Sequence, residues 1–571
     1  MASRSFEISL EVPSGSNNIA AMARSFTAPR LFGWLGAATL CASTILVYWP
    51  AWHSGFIWDD DRYVTHNYLL TAPDGLRRIW FSLDAPSQYF PLTYTLLRIE
   101  WSWWGLDPAG YHWVNILFHI CNALLAWWVL ARLKVPGGWL AGAIFAVHPV
   151  QVESVAWISE LKNVLMAFFF LLTLLTWIEY VDETRERRPF FYAAALVFYL
   201  LALSAKSTAC TLPAALLLIL WLKEKPIGQR ALLEIIPFVL LALGIGLVAV
   251  WWEKYHQGTR VLVSLAPLDR LLIASHALWF YLSKIFWPSD LTFIYPQWQI
   301  DARNPIGYLW LIAAVAFAVM IYFGRRFFGR SIEVAALFFV TTLGPLLGFL
   351  MLYTFRYTFV ADHYQYLACI GPIALASAGL AKLSRASRKL PWLVIASGGA
   401  ILICLSLLTW RQSASYRDLE TLWRTTIAKN PTCWMAYNNL GVVQFEKGNI
   451  DDAIEKYEQS LRLHPDYPEA HYNLGSALLQ KGYADEAIRH CEEALKIQPN
   501  EPDAHIVLGN AFMAKQDVDR AIDHYEQALQ LRPDDSNAHH NLGTALKQKG
   551  DVERAALEYE KALELERHHQ P

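Results

Sequence analysis

The sequence predicts an all-α chain in two unlike parts: a polytopic transmembrane helical domain, then a C-terminal tetratricopeptide repeat α-solenoid. Three observations carry this. Before residue 410, apolar runs of roughly 16–22 residues recur, and about 20 such residues cross a bilayer as a helix. The composition is 55% hydrophobic with only 17% charged residues, and the mean hydropathy is +0.24. From residue 434 the pattern changes to a 34-residue period, with Leu440-Gly441, Leu474-Gly475, Leu508-Gly509 and Leu542-Gly543 in register.

Residues 1–30 read as a polar cytoplasmic tail carrying Arg4, Arg24 and Arg30. The apolar run that follows is too long for the core of a cleaved signal peptide and reads as a retained first span. The transmembrane domain is assigned to 31–410, with apolar segments at 31–53, 111–132, 137–157, 161–180, 189–204, 207–222, 231–252, 268–288, 306–323, 333–352, 364–380 and 391–410. Basic residues cluster at Arg132/Lys134, Arg185–Arg188, Lys223–Arg230, Arg325–Arg330 and Lys382–Lys389, and positive loops stay cytoplasmic. Twelve crossings break that pattern after residue 260. Eleven restore it, with 268–288 as the segment that does not cross. The first outer loop, 54–110, the segment 353–363 and the C-terminus then share the non-cytoplasmic face. Within that loop, 89–104 is apolar and aromatic but interrupted by Arg98 and Glu100, as expected of an interfacial helix.

Residues 411–433 read as a linker and capping helix, and 434–571 as four repeats (434–467, 468–501, 502–535, 536–569). Ala453, Ala487, Ala521 and Ala555 recur where helices touch, and Pro465, Pro499 and Pro533 close the first three repeats. The two parts differ in charge. From 434 onward there are 14 Lys and Arg against 25 Asp and Glu; before it, 34 against 25. The basic residues lie in short loops between apolar runs, which argues against nucleic-acid binding. The seven cysteines have no ligand-like or disulfide-like spacing and read as packing residues.

Polar clusters gather on the expected outer face. Asp59-Asp60-Asp61 follows Trp58 just after the first span. Adjacent carboxylates suit a general base beside a group that positions substrate or holds a divalent cation, with Asp61 available for the metal; a solvated acidic turn fits the spacing equally. His148 and Glu153, with Glu160, Lys162 and Asn163 behind them, form a second cluster, which a simple interfacial turn also explains. Arg356 and His363 offer charge to a lipid phosphate, as does Lys206, isolated between two apolar runs. Against these stand an aromatic belt and a snorkelling lysine. In the repeats, Asn439, Asn473 and Asn541 precede the Leu-Gly pairs. Their amides suit a peptide backbone, although a tolerated solvent-facing Asn fits as well.

The order of these features resembles the transmembrane and tetratricopeptide repeat-containing O-mannosyltransferases and their bacterial relatives, among the C-type (GT-C) glycosyltransferases. The likeness rests on Trp58-Asp59-Asp60, His148-Pro149 with Glu153, the Ala361-Asp362-His363-Tyr364-Gln365-Tyr366-Leu367 segment and the terminal repeats. It implies a polyprenyl-phosphate sugar donor, mannose in the eukaryotic members, and transfer to a protein hydroxyl on the lumenal or periplasmic face. Asp59 or Asp60 would be the base, His148 and Glu153 would match the second-loop motif, and the repeats would recruit the acceptor. Many relatives carry Arg where this chain has His363, so Arg356 is the alternative source of charge. The Asn positions resemble the peptide-holding Asn ladder of the O-GlcNAc transferase repeats. Compact loops favour a bacterial inner membrane over the endoplasmic reticulum. Two other readings stay open: a non-catalytic scaffold assembling envelope proteins, and an enzyme acting on glycan or lipid.

Overall fold

The structure is a computed structural model and describes residues 33–82, 88–182, 188–256, 265–349, 353–386 and 391–569. The tail 1–30 and most of the basic run Arg185–Arg188 lie outside them. Every element among the described residues is helical or a turn.

The membrane half contains α1 (Gly33–Val47), α2 (Pro91–Trp104), α3 (Pro108–Arg132), α4 (Gly138–Ala146), α5 (Leu161–Asp182), α6 (Arg188–Ala205), α7 (Leu212–Leu222) and α8 (Gln229–His256). It continues with α9 (Pro267–Phe286), α10 (Tyr308–Phe328), α11 (Ser331–Leu343), α12 (Ile370–Ala386) and α13 (Pro391–Ala414). Six helices among the described residues are long and apolar enough to cross a bilayer: those of α3, α5, α6, α8, α10 and α13. Gly33–Val47, Ser207–Leu222 and Ser331–Leu346 are shorter apolar helices. α9, the segment expected not to cross, is outside the six and carries Asp269, Arg270, His276 and Lys284. The chain is a multi-pass membrane protein.

The apolar run 137–157 is not one helix. α4 ends at Ala146, and two short turns follow, Pro149–Gln151 and Val152–Ala156. Pro149 has no N–H to continue a helix and holds the preceding His148 extended, at φ −83° and ψ 128°. This break matters because it folds Gln151, Glu153, Ser154 and Ser159 into the core, all of them buried.

α14 (Leu419–Lys429) joins α13 to the repeats, and it and its flanking residues are tied to loop 54–110 and to the segment after α9. Gly55 N–H donates to the Arg417 carbonyl at 2.9 Å, Lys429 Nζ to Leu291 O at 2.5 Å, and Asn430 Nδ2 to Ile294 O at 3.1 Å. The four repeats follow as helix pairs: α15 (Trp434–Glu446) with α16 (Ile450–Leu463), α17 (Pro468–Gln480) with α18 (Ala484–Ile497), α19 (Pro502–Ala514) with α20 (Val518–Leu531), and α21 (Ser536–Lys549) with α22 (Val552–His569). The glycines are required by contact within each pair. A Cβ on Gly441 would sit 2.6 Å from the Tyr457 ring, and one on Gly475 would sit 2.6 Å from Cys491 Sγ. Met435, Leu440 and Val443 of the first repeat belong to the same apolar core as the membrane half. The repeats therefore lie on the face that carries loop 54–110.

Candidate active site

The three carboxylates after α1 have different surroundings. Asp60 is fully buried; its Oδ2 accepts the Ile57 N–H at 2.9 Å and its Oδ1 the Ser159 N–H at 2.8 Å. It thus pins loop 54–110 to the turn before α5, and burial pushes its carboxyl up to about 7 in spite of both donors. Asp59 is only partly buried. Burial raises its carboxyl above the ordinary range, while the positive charges of Lys162 and Arg62 pull it back. Asp61 is exposed and accepts the Thr65 hydroxyl at 3.0 Å. Among the described residues no three His, Cys, Asp or Glu side chains are grouped to hold a metal ion.

Behind Asp59 lies a buried charge network. Glu160, 1% exposed, receives Lys162 Nζ at 2.9 Å and Lys206 Nζ at 3.4 Å. Lys162 also stands over the rings of Tyr63 (4.6 Å) and Trp157 (5.5 Å), where an ammonium meets the negative π-faces. Lys206 donates to Asn163 Oδ1 at 2.9 Å, and burial depresses its ammonium to about 8 against the pull of Glu160. Lys206 occupies the break between α6 and the turn Ser207–Thr211, which brings an isolated lysine inside rather than to the membrane surface.

The late segment closes the site from the other side. Glu153 Oε2 accepts the His363 N–H at 3.0 Å, and Glu153 Oε1 lies 3.0 Å from His363 Nδ1 without hydrogen-bond alignment. Asn163 Nδ2 donates to the His363 carbonyl at 2.9 Å. Asp362 takes the Tyr295 hydroxyl on both oxygens, at 3.0 and 3.1 Å; burial and the neighbouring Glu153 hold it well above the carboxylate range. A small cavity lies between these elements, lined by Asn163, Thr208, Thr211, Thr342, His363 and Tyr364 among others. At about 20 Å³ it has room for a water molecule, and Met166, Leu346 and Leu367 line its apolar side.

The expected site residues thus divide. Asp59, Glu153, His363 and Lys206 join one network with Glu160, Lys162 and Asn163. His148 is a strut: its Nε2 meets the Ile285 carbonyl at 2.8 Å and its Nδ1 caps the Val150 N–H at 3.3 Å, so it contributes no free nitrogen. Arg356 does not join Lys206 and His363. It is exposed on the turn Tyr353–Arg356, over the rings of Tyr357 (5.8 Å) and Trp434 (5.9 Å) at the start of the repeats. Asn473 Nδ2 is spent on Asn438 Oδ1 (3.0 Å) and Asn541 Nδ2 on Asn510 Oδ1 (3.2 Å), bonds between neighbouring repeats; Asn439 Nδ2 is buried with no partner among the described residues. Two scaffold groups escaped sequence reasoning, His119 and Asn122 of α3, which meet the Tyr366 hydroxyl at 2.7 and 3.0 Å. The signal was present: His112, Asn115, His119 and Asn122 form a polar stripe at helical spacing in an apolar helix.

Comparisons with known proteins agree with the two-part architecture. Models described as TPR repeat match residues 441–482 and 509–550, and models described as tetratricopeptide repeat match 415–460, 468–501 and 536–569. The chain is 23% identical over 450 residues to the protein O-mannosyl-transferase F38B6.6 of Caenorhabditis elegans, covering 75% of this chain and 63% of that protein. It is 26% identical over 483 residues to the protein O-mannosyl-transferase TMTC4 of Mus musculus, covering 72% and 64%. The chain therefore spans less than two thirds of these relatives' length. Among solved structures, a crystal structure of MamA is 27% identical and covers 26% of this chain and 86% of that one, with a TM-score of 0.24.

Proposed function

Because the chain is homologous over 72–75% of its length to transmembrane, tetratricopeptide-containing protein O-mannosyl-transferases, we propose that it is a membrane glycosyltransferase. It moves a sugar, with mannose the first choice, from a polyprenyl-phosphate donor to a protein hydroxyl. In this reading the site and the repeats are periplasmic to a bacterial inner membrane, and the repeats recruit the acceptor.

The observation that carries the reading is the half-buried Asp59 carboxylate held against the buried Lys162–Glu160–Lys206 network on the face where the repeats dock. The donor's tail lies in the bilayer and its phosphate near Lys206 and His363, with the sugar toward Asp59. The acceptor oxygen attacks the anomeric carbon as the bond from that carbon to the phosphate oxygen breaks. The electron pair leaves with polyprenyl phosphate, and the acceptor's proton passes to Asp59. Phosphate is a good leaving group, so no strong general acid is needed. Asp60 sets the loop rather than taking the proton, because both of its oxygens already accept backbone N–H groups. Any divalent cation would be sought at Asp61.

The test is transfer of radiolabelled mannose from polyprenyl-phosphate mannose to peptide in membranes containing the protein. Turnover that Asp59→Asn abolishes supports the reading. Wild type without turnover, or an Asp59→Asn variant as active as wild type, sinks it.

A further inference from the structure

From Asp59 a continuous track of aromatic and acidic groups runs onto the repeats. The Tyr357 hydroxyl lies within electrostatic reach of Arg356, Glu469, Asp59 and Arg62. Its ring packs on Trp434 at 5.5 Å, and Trp434 packs in turn on Tyr467 at 4.4 Å. One step on, Tyr472 is surrounded by Asp503, Glu501 and Glu469, with Arg532 beyond. The charges along this track do not balance. Arg532 is committed to Asp503 (2.9 Å) and Asp535 (3.0 Å), whereas Glu469 Oε2 is buried with no partner among the described residues. Arg356 and Glu469 flank the same rings without an ion pair between them among the described residues, and Glu501 has a neutral partner, Gln498 Nε2, at 2.7 Å.

We propose that this track is the acceptor-binding surface, and that it selects an extended segment with a basic side chain flanking the acceptor Ser or Thr. The inference rests on the glycosyltransferase reading above, and it commits to a polypeptide for two reasons. Tyr357 is within electrostatic reach of Asp59, so a chain lying on Tyr357 and Trp434 can carry a hydroxyl toward the base. Flat aromatic rings accept backbone and side chains without reading sequence, and Glu469 supplies charge complementary to lysine or arginine. Sequence preference then resides in the second repeat and backbone capture in the rings.

Two fluorescent peptides of equal length, each with a single Thr and differing only in a flanking Lys or Gln, test this with the full-length protein in nanodiscs. Anisotropy should give about fivefold tighter binding of the Lys peptide, a gain that Glu469→Gln removes without changing the Gln peptide. Glu469→Lys should reverse the preference toward a Glu-flanked peptide. Equal binding of both peptides to wild type, or equal losses for both in Glu469→Gln, overturns the proposal, as does failure to bind either. The same peptides are then assayed for mannose transfer. Discrimination in binding without transfer would leave the docking surface standing and remove the enzymatic reading alone.

Discussion

Charges are paired in both halves of the molecule, but under opposite conditions. In the repeats, Lys481–Asp451, Lys515–Asp485 and Lys549–Asp519 recur once per repeat on exposed helix ends, with the aspartates 77–83% exposed. In the membrane half, one carboxylate, Glu160, serves two lysines, and none of the three side chains is more than 10% exposed. Water screens the first set, so each pair adds little and the solenoid is held by its Gly, Ala and Tyr contacts. The second set has no water to fall back on. Losing one member leaves an uncompensated charge in a low-dielectric site, which is a steep cost for a purely structural role. Such an arrangement is worth retaining where a substrate's charge completes it.

Breaking the buried side of the comparison gives the largest effect. Glu160→Gln should destabilise the detergent-solubilised protein by about 3–5 kcal/mol in thermal or denaturant melts, since both lysines lose their counter-charge. Adding Lys206→Met should recover part of that loss. If the double variant is no more stable than the single, the residues are not coupled as drawn.

Next in size, and sharper on function, are the two aspartates. Asp59→Asn should lower kcat by about 10²–10⁴-fold with an unchanged melting temperature. Asp60→Asn should cost about 1–3 kcal/mol of stability, because an amide turns an N–H toward a backbone N–H that needs an acceptor. The reverse pattern would exchange the roles of base and anchor.

The pH profile should move by a smaller amount and in a defined direction. Asp59 must be ionised to take a proton, so the rate rises as pH climbs through its raised pKa. Lys162 stabilises that ionised form, and Lys162→Met should therefore shift the acid limb to higher pH. Lys206 must be charged to meet a phosphate. Donor KM should accordingly increase as pH passes about 8. An acid limb that stays in place in Lys162→Met would separate Lys162 from the base.

The smallest effect belongs to the exposed side. Lys481→Gln, Lys515→Gln and Lys549→Gln should leave the melting temperature within error, singly and together, in differential scanning fluorimetry. A measurable drop would mean that the repeats rely on their surface charges after all.

Much of the candidate site could be read from the chain because its residues break an apolar background. Asp59, Glu153, Lys206 and His363 each interrupt a run that otherwise avoids charge, and an isolated charge at a membrane boundary has few cheap explanations. Their roles could not be read in the same way. Asp59 and Asp60 are adjacent and chemically identical, and only the donors from Ile57 and Ser159 distinguish them. His148 entered the candidate set with Glu153 as the second-loop motif, and in the structure its Nε2 meets the Ile285 carbonyl. The break at His148-Pro149 was written in the sequence but was outweighed by the apolar residues on either side, and 137–157 read as one span.

Sequence alone determined the division into an apolar helical half and a 34-residue repeat, because period and hydropathy are local and additive along the chain. It also identified the polar interruptions. Only the tertiary structure decided which of them meet: Glu160 with Lys206 across 46 positions, Glu153 with His363 across 210, and Tyr357 with the first repeats. Those pairings follow from helix packing and loop closure, which no spacing in the sequence encodes. The outer-loop carboxylate noted first as one of three identical aspartates became, through them, a single residue facing a charge network on one side and a path to the repeats on the other.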